Sequence, residues 1–220
     1  MDVFGPLQVL NLLSIDYNMT LSLISETLDP ISIDRSIIGG QVQGMLASSA
    51  SPYFSQFVLP THTLADAPAS DVLIIPGGPG TRNLAATQPY VDWIGARVDD
   101  PGLAYLMTVC TGTSLLARTG KIAGRRATTN KAAFRWVQSV PHADAVRWVA
   151  RARWVVDGNL WTSSGVSAGT DMTFGWVAHR YGRDVSESLR HRIEWNALAQ
   201  DDDPFADYYN LTDPQPQKYT

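Results

Sequence analysis

The sequence predicts an α/β fold in which helices cover both faces of a mostly parallel sheet. Residues 71–75 and 103–109 are continuous apolar runs, typical of strands buried on both faces, and each ends in an abrupt turn. Between them, residues 88–98 carry apolar side chains at helical spacing after Pro89. Strand, helix and strand in this order form the repeating unit of a parallel sheet.

The elements that precede this unit are predicted from shorter patterns. A helix begins near Pro6, since proline suits the first helical turn. Residues 21–25 have strand character, and a second short strand is predicted at 42–46, after a Gly-Gly turn. A third strand is expected to begin in residues 57–59.

The elements that follow include a hairpin and three helices. Residues 131–137 have helical spacing, and Asp157-Gly158 between two apolar runs predicts a β-hairpin. One helix is predicted from residue 167 to about 181, ended by Gly182, and another from 184 to 195. The polar, turn-rich tail 201–220 is expected to wrap the surface or to fray.

The composition excludes several kinds of protein. The chain has 220 residues, 45% of them hydrophobic, which is enough for one sizeable core, so residues 1–220 are predicted to form a single domain. A net charge of −4 without a long basic run argues against nucleic acid and anionic membranes as partners. No apolar stretch approaches membrane-spanning length.

The cysteine and histidine content predicts neither a disulfide nor a metal site. One cysteine excludes an internal disulfide and a cysteine-based metal cluster, and the four histidines lack close ligand spacing. A reactive free thiol suits a reducing compartment, so we expect a soluble cytoplasmic protein.

Cys110 is the strongest candidate for a catalytic residue. An apolar run leads straight into it, and a small-residue helix start, Thr111-Gly112-Thr113, follows. A cysteine in such an elbow projects above the sheet, and the helix start aims N–H groups at the sulfur, so we expect a lowered thiol pKa. The alternative is a buried cysteine that acts as a small hydrophobe.

A glycine turn upstream adds to this prediction. The strand at 71–75 ends in Pro76-Gly77-Gly78, where backbone amides can approach a ligand. An amide of Gly77 or Gly78, with that of Thr111, is expected to form an oxyanion hole for the reaction at Cys110. The alternative is an ordinary strand-to-loop turn.

Four separated motifs in this order resemble those of the ThiJ/PfpI superfamily. They are Ile75-Pro76-Gly77-Gly78, Val109-Cys110-Thr111-Gly112, residues 124–129 (GRRATT) and residues 164–171 (SGVSAGTD). The resemblance continues through Tyr181-Gly182, Ile193-Glu194-Trp195 and Asp203-Pro204-Phe205. It implies a flavodoxin-like three-layer α/β/α sandwich, with the hairpin as an addition, and a homodimer.

The N-terminal segment resembles the isocyanide (isonitrile) hydratase branch of the superfamily. Residues 2–9 match the pattern Asp-x-x-Gly-Pro-x-x-Val, which makes Asp2 the acidic partner of Cys110; capping of the first helix is the alternative. Family members have a β-strand before this motif. This chain begins directly beside the motif, so either the sequence is truncated, or its start is misassigned, or the protein tolerates an open groove where the strand would lie.

The resemblance also assigns roles to other residues. Thr111 is expected to orient the acid, and Ser164 and Gly165 to line the substrate cavity. Protease-like relatives place a histidine directly after the cysteine, and hydratase relatives have one at the position of Asn130. A Cys-His dyad is therefore unsupported, and a peptidase is disfavoured.

The sequence thus predicts a cofactor-free hydro-lyase that converts a small-molecule isocyanide and water to an N-substituted formamide. A glyoxalase- or deglycase-like activity on reactive carbonyls would use the same thiol and acid. The third possibility is a redox sensor or partner-binding protein whose cysteine is oxidised. A DNA-binding regulator is disfavoured because its second domain would need about a further hundred residues.

Overall fold

A computed structural model describes residues 2–32 and 56–212 of the chain. The helices are α1 (Phe4–Asp16), α2 (Gln88–Val98), α3 (Gly112–Arg118), α4 (Phe134–Val137), α5 (Val166–Tyr181), α6 (Arg183–Arg192) and α7 (Phe205–Tyr208). The strands are β1 (Ile24–Ser25), β2 (Ile31–Ser32), β3 (Phe57–Val58), β4 (His62–Thr63), β5 (Val72–Ile75), β6 (Tyr105–Thr108), β7 (Arg126–Ala127), β8 (Arg147–Trp148), β9 (Trp154–Asp157) and β10 (Leu160–Ser163).

The central sheet has four strands in the order β5-β6-β10-β9. β5, β6 and β10 run parallel, and β9 pairs antiparallel with β10 as the predicted hairpin. Gly158 makes the hairpin turn with a positive φ of 57°, which glycine adopts at little cost. The carboxyl ends of β5, β6 and β10 therefore lie side by side at one edge of the sheet.

Three small two-stranded sheets flank the central one: β1 with β4, β2 with β3, and β7 with β8. Within the part of the chain that the structure describes, β5 has a hydrogen-bonded neighbour on one side only, which is β6. The open groove expected as one alternative to the family's first strand stays a prediction.

The core divides into two layers, one on each face of the central sheet. Alternation along β6 sends Leu106 to one layer, with side chains of α2, α3 and α4, and Met107 to the other. That second layer contains side chains of α1, α5 and α6. The helices therefore cover both faces, which confirms the predicted three-layer α/β/α sandwich.

The predicted elements agree with the structure except at some ends. α2 and α5 have the expected bounds to within one residue, whereas the helix expected to reach residue 195 ends at Arg192. Residues 131–137 form a 3-10 turn followed by α4. The strand predicted at 42–46 lies outside the described residues. None of the described helices is long and apolar enough to cross a membrane.

The predicted tail is bound to the surface over its described part. Ala206 and Leu211 are buried, and Leu211 packs into the core layer of α2 and α3. Residues 201–212 therefore wrap the domain as expected, while residues 213–220 lie outside the described range.

Candidate active site

Cys110 lies in the sharp turn between β6 and α3. Its φ is +56°, in the left-handed region that non-glycine residues rarely adopt. Two threonine hydroxyls hold its carbonyl oxygen: Thr129 Oγ1 donates at 2.8 Å and Thr113 Oγ1 at 3.3 Å. These bonds stabilise a backbone conformation that costs about 1–3 kcal/mol, as is common at functional sites.

The end of β5 packs closely against the start of α3. A Cβ on Gly112 would lie 2.2 Å from the carbonyl oxygen of Ile75, and a Cβ on Gly77 would lie 2.5 Å from the amide nitrogen of Thr111. Neither contact is sterically possible, so both positions require glycine. The close approach places the Gly77-Gly78 turn beside Cys110.

Asp2 reaches the same point from the start of α1. A Cβ on Gly5 would lie 2.3 Å from Thr170 Oγ1, so glycine allows α1 to approach α5 closely. The Asp2 carboxylate is 7% exposed, accepts a hydrogen bond of 3.2 Å from the Gly77 amide, and is hydrogen-bonded to the Cys110 side chain. The structure therefore brings Asp2, Gly77 and Cys110 together.

The electrostatics of this pair overturn one expectation. Burial, followed by the nearby Asp2 carboxylate, raises the pKa of the Cys110 thiol from 9.0 to about 12. The Thr111 amide and hydroxyl bond to the sulfur and act in the opposite direction, but these contributions are smaller. The prediction of a lowered thiol pKa was wrong because it considered the helix start and left out burial and the carboxylate.

Burial also raises the pKa of Asp2 above its ordinary value of 3.8, and the hydrogen bonds from Cys110 and Gly77 oppose this. Both members of the pair therefore bind a proton more readily than they would in water. The chemical consequence is a buried thiol and carboxyl that share a proton, with the thiol as its resting place near neutral pH.

The amides of Gly77 and Gly78 have acceptors within the protein. The Gly77 amide donates to Asp2, and the Gly78 amide donates to Thr111 Oγ1 at 2.9 Å. Thr111 Oγ1 also accepts from Thr81 Oγ1 at 3.0 Å and donates to the Gly78 carbonyl at 3.2 Å. Asp2 is thus held by Gly77, while Thr111 fixes Gly78; the oxyanion hole remains a prediction.

Ser164 and Gly165 line a cavity of about 380 Å³ next to the elbow. Asn130 lines it as well, and its side chain accepts a hydrogen bond of 3.1 Å from the Ala133 amide. Asn130 therefore caps the 3-10 turn at 131–133. Neither Asp2 nor Cys110 is among the residues that line this cavity.

Sequence reasoning left out a buried ion pair near the site. Arg153 Nε lies 2.6 Å from Asp171 Oδ2, and Trp195 Nε1 donates to Asp171 Oδ1 at 2.6 Å. Arg153 also donates to Ser167 Oγ at 3.1 Å, at the start of α5. The one indication of this ion pair in the sequence is that Asp171 and Trp195 both belong to segments that resemble the ThiJ/PfpI superfamily.

The described residues contain no group of three metal-ligating side chains. What the site offers is a nucleophile, an acid–base partner and fixed amides, which together suit addition of a thiol to an electrophilic carbon.

Comparisons with known proteins identify relatives of this chain in sequence and in fold. Residues 1–179 match the model of the DJ-1/PfpI family. The chain is 32% identical to the isonitrile hydratase of Pseudomonas putida over 136 residues, which are 62% of this chain and 57% of the hydratase. It is 26% identical over 148 residues to the HTH-type transcriptional regulator GbdR of Pseudomonas aeruginosa, which is 66% of this chain and 38% of the regulator.

The chain therefore spans a little more than half the length of that hydratase and well under half of the regulator. Among solved structures, a ThiJ/PfpI family protein from Pseudomonas syringae superposes with a TM-score of 0.67 at 23% identity. The match covers 90% of this chain and 71% of that protein, and it shows the shared fold.

Proposed function

The chain belongs to the DJ-1/PfpI family, and we propose that it is a cofactor-free hydro-lyase that adds water to an isocyanide and releases an N-substituted formamide. The observation that carries the proposal is the hydrogen-bonded pair of Cys110 and Asp2, buried on a strained elbow. Similarity to the Pseudomonas putida isonitrile hydratase supports the choice of substrate.

The first step forms a thioimidate. The proton of the Cys110 thiol passes to the Asp2 carboxylate, and the sulfur attacks the terminal carbon of R–N≡C while Asp2 delivers the proton to that carbon. The product is R–N=CH–S–Cys110, and Asp2 is a carboxylate again. No net charge is created in the buried site, because the same proton moves from sulfur to carboxylate to carbon.

The second step releases the product. Water attacks the thioimidate carbon, and Asp2 accepts one proton of the water and passes it to the imidate nitrogen. The C–S bond then breaks as the C=O bond forms, and the remaining hydroxyl proton passes through Asp2 to the sulfur. R–NH–CHO is released, and Cys110 is again a thiol and Asp2 a carboxylate. Thr111 and the Gly77-Gly78 turn hold the pair in place through the bonds described above.

The proposal extends to the assembly and location of the protein. We propose a homodimer, in line with the family resemblance, that acts in the cytoplasm on a small molecule without nucleic acid or membrane partners. The single free cysteine supports a reducing compartment.

Two other functions fit parts of the same site. A glyoxalase- or deglycase-like enzyme would direct Cys110 at a carbonyl carbon, and a redox sensor would oxidise the thiol without turnover. Similarity to the HTH-type transcriptional regulator GbdR favours a third, a domain of a transcriptional regulator. The raised thiol pKa argues against the sensor, because peroxide reacts with thiolate.

Turnover with defined substrates tests the proposal. Purified protein is incubated at pH 7.5 with an alkyl isocyanide and, separately, with methylglyoxal, and formamide and lactate are quantified. We expect formamide, and the Cys110→Ser variant should lose at least about 100-fold in rate with its fold intact by circular dichroism. Formation of lactate alone would indicate the glyoxalase-like reaction. The absence of both formamide and lactate would reject the hypothesis that the protein is an enzyme for these substrates.

A further inference from the structure

Two kinds of residue line the cavity near the elbow. Small and polar residues include Gly5, Asn130, Ser164 and Gly165. The others include an aromatic wall, which we define as Trp195, Phe205 and Tyr209; all three belong to the C-terminal segment that follows α6. A volume of about 380 Å³ lies at the small end of the range for ligand pockets.

The small and polar lining residues lie near the reacting pair in the sheet and along the chain. Thr162 of β10 is in register with Thr108 of β6, so Ser164 and Cys110 follow the ends of neighbouring strands, and such strands lie about 5 Å apart. Asn130 follows Thr129, whose hydroxyl binds the carbonyl of Cys110. The cavity therefore lies at the same edge of the sheet as Cys110, although Cys110 itself does not line it.

The aromatic wall is exposed in a way that folding alone does not require. Phe205 is 50% exposed and Tyr209 is 40% exposed, although both sit in a concave surface. Trp195 is fixed by its hydrogen bond to Asp171, which is itself buried and paired with Arg153. A rigid, partly exposed apolar wall opposite a few polar groups is typical of a site that binds a small ligand.

We propose that this cavity binds the N-substituent of the isocyanide and that the aromatic wall selects single-ring or compact branched apolar substituents. The inference rests on the proposed function. An isocyanide is linear at nitrogen, so a carbon held at Cys110 projects its substituent straight away from the sulfur. The cavity at the same edge of the sheet would receive that substituent, and aromatic side chains provide a large contact area for an apolar ring.

The test compares a large and a small substrate in matched phenylalanine variants. Phe205→Ala should lower kcat/KM for benzyl isocyanide by about tenfold and change that for methyl isocyanide less than about twofold, since methyl does not reach the wall. Tyr209→Ala should show the same selective loss. Phe57→Ala removes an exposed phenylalanine that does not line the cavity and should behave as the parent.

A binding measurement separates this inference from the proposed function. N-benzylformamide should slow alkylation of Cys110 by iodoacetamide in the parent protein. In Phe205→Ala, this protection of Cys110 should be at least about fivefold weaker. This readout needs no turnover, so it decides the role of the wall even if no isocyanide is hydrated. It also shows that the variant is folded, because alkylation without the formamide should proceed at the parental rate.

Several outcomes would overturn the inference. If Phe205→Ala lowers kcat/KM equally for both isocyanides, Phe205 has a structural role. If kcat/KM for benzyl isocyanide is unchanged, Phe205 does not contact the substrate. Equal protection of parent and variant by N-benzylformamide would lead to the same conclusion. If the parent hydrates neither isocyanide, the proposed function fails, and protection that depends on Phe205 would still support an apolar ring in this cavity.

Discussion

Cys110 and Asp2 act as one acid–base unit and not as two independent groups. Burial and the Asp2 carboxylate raise the pKa of the Cys110 thiol to about 12, so the thiol is almost fully protonated at neutral pH and would by itself be a poor nucleophile. The hydrogen-bonded carboxylate changes this, because it can accept the thiol proton during attack without any change in the total charge of the site. The carboxylate that raises the thiol pKa is thus the base that activates the thiol.

This coupling predicts the pH profile of isocyanide hydration. The active pair carries one proton, so kcat/KM should fall as the pH drops through the Asp2 pKa, which lies above 3.8. It should stay flat through pH 9.0, the ordinary thiol pKa, because the Cys110 thiol deprotonates near 12. A rate that rises tenfold per pH unit between 7 and 9 would instead indicate a free thiolate that acts without Asp2.

Asp2→Asn should separate activity from thiol reactivity. Hydration should fall at least about 100-fold, because the substitution removes the group that moves the proton. Alkylation of Cys110 by iodoacetamide should become severalfold faster at pH 8, since the carboxylate that helps to raise the thiol pKa is gone. Formamide production and intact-mass spectrometry measure the two rates.

The same variant should be more stable than the parent near neutral pH. Burial raises the Asp2 pKa, so the protonated carboxyl stabilises the fold fully below pH 3.8, and this contribution is lost as the pH rises through the folded-state pKa. Asparagine carries no charge and avoids that loss. The difference in melting temperature should therefore shrink as the pH falls below 3.8, and a less stable variant at pH 7 would contradict the argument.

At the scale of elements, the contact between β5 and α3 positions the turn on which the site depends. Gly112→Ala should destabilise the protein by about 2 kcal/mol, although alanine favours helices, because its Cβ would lie 2.2 Å from the Ile75 carbonyl oxygen. Displacing α3 also moves Cys110, so hydration should fall together with stability. Urea unfolding and formamide production give both values.

Gly80→Ala is the matched control for this substitution. A Cβ there has no heavy atom within 4 Å, and Gly80 belongs to the neighbouring 3-10 turn. The control should keep the parental stability and rate. Comparable destabilisation by both variants would show that the β5–α3 contact has no special role.

Local patterns were sufficient for most elements of the fold. α2 and the β9–β10 hairpin have a clear period or turn signal within a few residues, and both form as predicted. Residues 131–137 were less well predicted, because Asn130 caps a 3-10 turn that helical periodicity does not reveal. The ends of the short strands could not be predicted from local patterns, because they depend on tertiary packing.

The site could be predicted only where its chemistry is local. Cys110 and the Gly77-Gly78 turn follow apolar strands and are visible in the sequence, whereas Asp2 was assigned from a resemblance because nothing nearby marks it as a partner. The thiol pKa was predicted in the wrong direction, since burial and the Asp2 carboxylate depend on distant parts of the chain. Thr129 was missed for the same reason.

At the scale of the whole molecule, buried charges attach the C-terminal segment to the rest of the domain. Lys131 Nζ lies 3.0 Å from Asp203 Oδ2, and both side chains are 2% exposed. Lys131 also donates to Thr128 and to the Ala152 carbonyl. Because Lys131 lines the cavity and Asp203 lies close in sequence to Phe205, this pair connects the segment that carries the aromatic wall to the rest of the cavity lining.

Two aspartates of the segment should therefore differ in their contribution to stability. Asp203→Ala should lower the free energy of unfolding by about 3 kcal/mol, because it removes one carboxylate of a buried ion pair with Lys131. Asp207→Ala removes an ion pair with Arg151 whose partners are both more than half exposed, so its melting temperature should change little. Similar losses in the two variants would contradict a buried charge pair.

A double-mutant cycle isolates the pair itself. If Asp203→Ala is destabilising because it breaks the ion pair with Lys131, adding Lys131→Met should recover at least about 1 kcal/mol relative to the sum of the single substitutions. Urea unfolding of the four proteins measures this coupling energy. The double variant should also keep hydrating methyl isocyanide while losing its preference for benzyl isocyanide, because Phe205 and Tyr209 are no longer anchored. Additive losses would instead assign Asp203 to the turn before α7, where its Oδ1 accepts from the Phe205 amide at 2.9 Å.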